Sequence, residues 1–215
     1  MSLPASKTNY GNYFEDFHVG WRIQHSMPIT ISAADTSNAQ ALYGSRLPVP
    51  ASISFARSVG YEVAPVSNMV VFHKVFGLTV PDVSQNAVAN LGYAEVRFGG
   101  ATLPGDTLTA ETQIIGLKRN SNGRSGNVYV HTTARNQTQA EVLSFKRWVM
   151  VKTRDCSADT PETAIPELQQ IVEPASIELS PLLQIPRGTF DPRLSGSAFA
   201  WEDYCVGEKI DHGAS

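Results

Sequence analysis

The stretch SNMVVFHKVFGLT, from Ser67 to Thr79, decides how the rest of the chain must fold. At about 100° per residue, Met69, Phe72 and Phe76 share one face of a helix with Val75 and Leu78 beside them, and only Val70, His73, Lys74 and Gly77 form a narrow polar strip. Ser67 is placed to cap the start, and Gly77 with Pro81 marks the stop. A helix this apolar must be covered. Four β-rich segments follow it, Val88 to Phe98, Asp106 to Lys118, Asn127 to Asn136 and Glu141 to Lys152. The spacing predicts an α+β unit in which a curved antiparallel sheet wraps around one long central helix, the hot-dog architecture.

Upstream of the helix, Ile23, Met27, Ile29 and Ile31 read as a strand in two parts, broken at Pro28, which favours a sheet edge. Ser32 and Asp35 form a capping-box pattern that opens a helix with Ala39, Leu42 and Tyr43 on one side, ended by Gly44. Ser45 to Pro50 reads as a loop with two prolines, and Ile53, Phe55, Ala56 and Val59 as a further helical piece capped by Gly60. Downstream, Leu108, Ala110, Thr112 and Ile114 alternate with polar residues, as in a half-buried strand. Gly99-Gly100 and Pro104-Gly105-Asp106 are turns, and Asn122-Gly123 is a hairpin tip. In the last strand Leu143, Phe145, Val149 and Val151 share one face, with Ser144, Lys146, Trp148 and Met150 on the other.

Composition narrows the function classes. Of 215 residues, 42% are hydrophobic, enough for a sizeable core, and a net charge of -3 without a Lys/Arg run argues against nucleic-acid binding. Cys156 and Cys205 make no disulfide framework and have no metal-ligand spacing, which fits a reducing compartment. The start lacks an export h-region, and the longest apolar run is interrupted by His73 and Lys74, so a cytoplasmic location without a membrane span is expected.

Past Lys152, five prolines from Pro161 to Pro186 punctuate a tract with little periodicity, read as a linker. The chain then begins again. Phe14-Glu15-Asp16-Phe17 to His25 aligns without a gap on Trp201-Glu202-Asp203-Tyr204 to His212 at an offset of 187, with Glu, Asp, Val, Gly, Ile and His recurring. The expected organisation is an amino-terminal hot-dog domain over 1–153, a Pro-rich linker over 154–197, and the opening segment of a second, truncated hot-dog repeat over 198–215.

The segments Gly11 to Phe17, Leu42 to Arg46, Val70 to Gly77, Val80 to Ser84, Asn90 to Ala94 and Pro104 to Leu108 resemble the amino-terminal half of the mesaconyl-CoA hydratases, or β-methylmalyl-CoA dehydratases, a double hot-dog family of MaoC-like dehydratases. The resemblance runs from Thr8 to His212. It implies reversible addition of water to the double bond of an enoyl-CoA. Such chemistry needs a group that activates water, a group that handles the α-carbon proton, and donors at the thioester oxygen. MaoC-like enzymes place an Asp or Asn five positions before a His on the loop after the first helix; here Ser45 and Pro50 fall there, and neither serves. The glycine-containing helix start that binds the thioester oxygen is replaced by Val66-Ser67-Asn68. The resemblance therefore implies a non-catalytic copy, with no catalytic residue in this chain and the acid and base in a domain past Ser215.

Asn68 and His73 repeat the spacing of five, but inside the central helix, and His73 reads as a partly exposed structural histidine. His131 reads as packed or solvent-facing, and His18, His25 and His212 as local hydrogen-bonding groups of the repeated opening. Arg46, Arg97, Lys118 and Arg119 are candidates for CoA phosphates, weighed against scattered surface cations. No metal constellation, phosphate-cradling loop or Ser-His-Asp set is evident. The expectation is half of a hydro-lyase with an acyl-CoA substrate and no separate cofactor, either forming a homo-oligomer or pairing with a second hot-dog domain. Two other classes remain open, a non-catalytic acyl-CoA-binding or dimerisation module and a thioesterase, the latter disfavoured because no Asp or Glu is placed as its base.

Overall fold

Alternation of buried and open residues along most of three neighbouring strands builds the sheet, as the period-two pattern requires. The computed structural model describes residues 9–45, 47–156, 161–176 and 199–211. Its elements are β1 (Arg22–Gln24), β2 (Ile29–Thr30), α1 (Ala33–Tyr43), α2 (Pro48–Ala51), α3 (Ile53–Ser58), α4 (Asn68–Thr79), β3 (Ala87–Phe98), β4 (Thr107–Arg119), β5 (Ser125–Arg135) and β6 (Glu141–Lys152). They fall into two units, one within Met1–Thr36 and Val66–Glu178, the other within Ser37–Pro65 and Leu179–Ser215.

In the first unit every strand pairing is antiparallel, in the order β1-β4-β5-β6-β3, with β2 also on β4. This is the hot-dog fold that the sequence predicts. The break at Pro28 splits the edge strand into β1 and β2, both on β4. Two apolar clusters occupy the inner face. One joins Val71 and Val75 of α4 to Leu108, Ala134, Leu143 and Phe145; the other gathers Phe14 and Phe17 with Ile114, Val128, Val130 and Val149. Gly126 makes room for the second, since a Cβ there would overlap the Phe14 ring.

The helix is less enclosed than its composition suggests. Val71, Val75 and Thr79 form the buried row, whereas Met69, expected on the buried face, is 55% exposed. Sheet contact runs along one narrow stripe, so the a/d-like spacing of Val71 and Val75 decides burial and Met69 falls outside it. Pro81 does not stop the helix abruptly; it lies in a single π-helical turn, Val80–Ser84, that continues α4. At the sheet edge β3 leaves Val88, Leu91, Val96 and Phe98 exposed. Its register on β6 shifts three times, and Glu95 takes a left-handed φ of 52°.

Part of the proline-rich tract lies on the sheet. Leu117 and Ala164 exchange backbone hydrogen bonds of 2.8 and 2.9 Å, and Gly116 leaves space for the Ala164 carbonyl. The Glu95 carboxylate accepts from the Lys146 ammonium at 2.6 Å and from the Gln169 N–H at 3.2 Å. The Lys146 hydrogen bond holds the Glu95 carboxyl below its ordinary value of 4.5, so its contribution is present above that pH and is lost as pH falls through the lower folded value. Glu95→Gln at pH 7 is expected to speed proteolysis within residues 161–169 several-fold. Wild type should do the same once pH falls through the folded value of the Glu95 carboxyl, which lies below 4.5. Unchanged cleavage in both would show that Glu95 does not fasten this segment.

The second unit contains the rest of α1, α2 and α3, and residues 199–211. The Ser32/Asp35 capping box is formed, with Ser32 N–H donating to Asp35 Oδ2 at 2.9 Å and Asp35 N–H to Ser32 Oγ at 3.4 Å. Gly44 ends α1 at φ 68°, its N–H donating to the Gln40 carbonyl. The two-proline loop is partly helical, because Pro48 stands at the first position of α2, where its missing N–H costs nothing.

The repeated sequence adopts one local structure twice. Tyr13 N–H donates to Asp16 Oδ2 at 2.8 Å and Ala200 N–H to Asp203 Oδ2 at 2.7 Å, each over a 3-10 turn, and Gly20 and Gly207 follow at φ 90° and 87°. Burial differs. Phe14 is 1% exposed, and Trp201 at the matching position is 89% exposed.

Candidate functional site

The two apolar clusters on the inner face are separated by a seam of polar side chains, which is where this sheet departs from a plain hydrophobic core. Thr112 and Thr132 face each other across β4 and β5 with hydroxyls 2.8 Å apart. His25, just past β1, is buried; its Nε2 lies 2.8 Å from Thr112 Oγ1 and its Nδ1 2.7 Å from Asp82 Oδ2. The π-helical turn after α4 is what brings Asp82 to the ring. Each ring nitrogen has one partner, so this group is satisfied and ties the edge strand to the end of the helix.

Across the seam stands Arg147, 1% exposed, on the inward face of β6 between Phe145 and Val149. Its Nη2 donates to Thr79 Oγ1 at 3.3 Å, and its guanidinium carbon lies 4.6 Å from the Phe76 ring centroid. Tyr93 is its cross-strand neighbour on β3. Nε and Nη1 are buried without a hydrogen-bond partner among the described residues. Burial pushes the guanidinium pKa down to about 10, partly offset by the Tyr93 hydroxyl, so the group stays charged at neutral pH.

Each described residue singled out in the sequence has its own local setting. Ser45 Oγ donates to the Leu47 carbonyl at 3.3 Å and is exposed; Pro50 belongs to α2, and its carbonyl accepts from Gln40 Nε2 at 2.9 Å. Val66 N–H donates to the Thr102 carbonyl, and Ser67 makes no side-chain cap on α4. Asn68 and His73 are exposed on the helix, and His18 stacks on Trp21 at 5.3 Å. His25 bonds across the fold to Asp82 and Thr112 rather than locally.

His131 is on the opposite face of the sheet, in a groove of about 490 Å³ with Arg22, Gln24, Glu111, Gln113 and Arg135. Burial, then the Lys146 charge, holds its imidazole below the ordinary range, hence neutral near pH 7. Arg97 on β3 is separated from Lys118 and Arg119 on β4 by two strands, and Arg119 donates to the Gly123 carbonyl. Arg46 and His212 lie outside the described residues. Among the described residues no three His, Cys, Asp or Glu side chains gather as metal ligands, and no helix is long and apolar enough to cross a membrane.

Asp82 and Arg147 escape a reading that looks only for acid-base spacing. A signal for Arg147 is present: Leu143, Phe145, Val149 and Val151 fix the inward parity, and 147 has it.

An antiparallel sheet of this order laid on one helix is a hot-dog domain, of the class found in MaoC-like dehydratases. A crystal structure of a MaoC domain protein dehydratase from Chloroflexus aurantiacus superposes with a TM-score of 0.89 and 47% identity over 97% of this chain and 59% of that one. The chain belongs to the mesaconyl-CoA hydratase family, whose profile matches residues 4–190. It is 47% identical to the β-methylmalyl-CoA dehydratase of Chloroflexus aurantiacus over 97% of its length, and 49% identical to the mesaconyl-CoA hydratase of Cereibacter sphaeroides over 96%. It spans 58% and 60% of the length of these two relatives.

Proposed function

We propose that this chain is the amino-terminal, non-catalytic hot-dog domain of a hydro-lyase that interconverts mesaconyl-CoA and β-methylmalyl-CoA. Identity of 47–49% across nearly the whole chain, to relatives bearing those names, carries the reading. In the reaction water loses a proton to a base, its oxygen bonds to the alkene carbon that carries the free carboxylate, and an acid delivers a proton to the α-carbon beside the thioester. No bound cofactor is needed for this, since the CoA thioester supplies the electron sink.

The acid and base are assigned to a second hot-dog domain, whose opening is residues 198–215, reached through the tract 154–197. The repeated capping turn around Asp16 and Asp203 supports that duplication. Side-by-side pairing would put the acyl site at the join, with the present domain shaping the pocket. A homo-oligomer is an alternative way to satisfy the β3 edge, and a cytoplasmic location suits a CoA-dependent enzyme.

Purified residues 1–215 are expected to hydrate no mesaconyl-CoA, whereas the longer protein does so. Turnover by the 215-residue chain would overturn the assignment of roles. A longer protein that binds acyl-CoA but does not hydrate it would instead support an acyl-CoA-binding or dimerisation module.

A further inference from the structure

A charged guanidinium without a counter-ion is costly inside a protein. Arg147 keeps the Thr79 hydrogen bond, the neighbouring Tyr93 hydroxyl and one aromatic face, yet Nε and Nη1 have no partner at hydrogen-bond geometry and no carboxylate pairs with the charge among the described residues. If packing were the only demand at this position, an apolar side chain continuing the row from Phe145 to Val149 would serve better. What separates the guanidinium from the sheet edge is thin. Phe76 is only half-buried, and Tyr93, on the edge strand, is 38% exposed. Phe72, Phe145 and Tyr93 form an aromatic group with ring centroids 5.3–6.1 Å apart, packed edge to face or tilted, so the wall beside the charge is apolar. A planar carboxylate on a short carbon chain matches both halves of such a site: the chain lies against rings, and the carboxylate takes the free N–H groups.

We propose that Arg147, aided by the Tyr93 hydroxyl, receives the free carboxylate at the acyl end of a carboxylated enoyl-CoA and so selects it over neutral acyl chains. This rests on the hydratase reading above and deepens it. In mesaconyl-CoA the free carboxylate is attached to the carbon that gains the hydroxyl, so a fixed cation there orients the double bond as well as choosing the substrate. The role given to Arg147 is binding and specificity; it moves no proton.

The test uses the full-length protein with mesaconyl-CoA as substrate and tiglyl-CoA as competing inhibitor, because tiglyl-CoA carries a methyl group where mesaconyl-CoA carries the carboxylate. Arg147→Met is expected to lower kcat/KM for mesaconyl-CoA by about 100-fold or more. The inhibition constant of tiglyl-CoA should change by less than about 3-fold, because an apolar pocket discriminates weakly between apolar groups. Arg147→Lys should recover part of the loss, since it keeps the charge without the fork. Tyr93→Phe, a milder change that guards against misfolding of the first variant, should lose about 3- to 10-fold on mesaconyl-CoA alone.

Melting temperature supplies a readout independent of activity. Arg147→Met should melt no lower than wild type, since replacing an unpaired buried charge with an apolar side chain is neutral or stabilising. Equal losses on both ligands, or full activity of Arg147→Met on mesaconyl-CoA, would overturn the carboxylate site and leave the hydratase reading standing. A wild-type protein without mesaconyl-CoA turnover would sink both.

Discussion

Phe14→Ala is expected to destabilise the 215-residue chain by about 3–5 kcal/mol, the range for emptying a fully buried aromatic site. Trp201→Ala, at the equivalent position of the repeat, should cost no more than about 0.5 kcal/mol in the same chain. The two residues begin the same capped turn and differ in what covers them. Phe14 fills the space over Gly126 and touches the cluster around Ile114, Val128 and Val149; Trp201 is exposed. Urea unfolding of both variants gives the comparison directly. In the longer protein the duplication proposal makes a sharper demand, because Trp201→Ala should there acquire a cost similar to that of Phe14→Ala. If Trp201→Ala remained silent in the longer protein, residues 198–215 would not be a second opening segment.

The other large effect is at His25. Its ring contacts Asp82 on one side and Thr112 on the other, and Thr112 in turn contacts Thr132. Truncation to alanine leaves a cavity, a carboxylate without its ring partner and a buried hydroxyl short of one, at an expected cost of about 2–4 kcal/mol. Asp82→Ala should cost less, since that side chain is 30% exposed and its loss opens no enclosed cavity, although it leaves the buried His25 Nδ1 without its partner. Thermal melts of the two single variants and the double variant measure the coupling. Additive effects would show that the pair does not act as a unit.

Much of the fold was legible because local chemistry and the final packing agree. The four long strands lie where alternation and turn residues put them, and Gly44, Gly105 and Gly123 occupy left-handed positions at the predicted ends and turns. The helix at Ser67 was legible in place but not in orientation. Periodicity names an apolar face without saying how wide the contact stripe is, which is why Met69 was misplaced while Val71 carried the core. The seam was not legible. Asp82 reaches His25 only because a π turn follows α4, and the bond joins residues 57 positions apart. Proline content in the tract after Lys152 points to a linker of little periodicity. It was silent about the hydrogen bonds to Leu117 and Glu95, which depend on the sheet being present.

The interrupted register of β3 has a bearing on solubility. Cross-β growth requires about six or seven consecutive residues to offer an even comb of N–H and C=O groups to an incoming strand. Breaks near Ala87, Asn90 and Glu95 leave no such run on this greasy rim. Stray chains therefore find no template along it on which to stack.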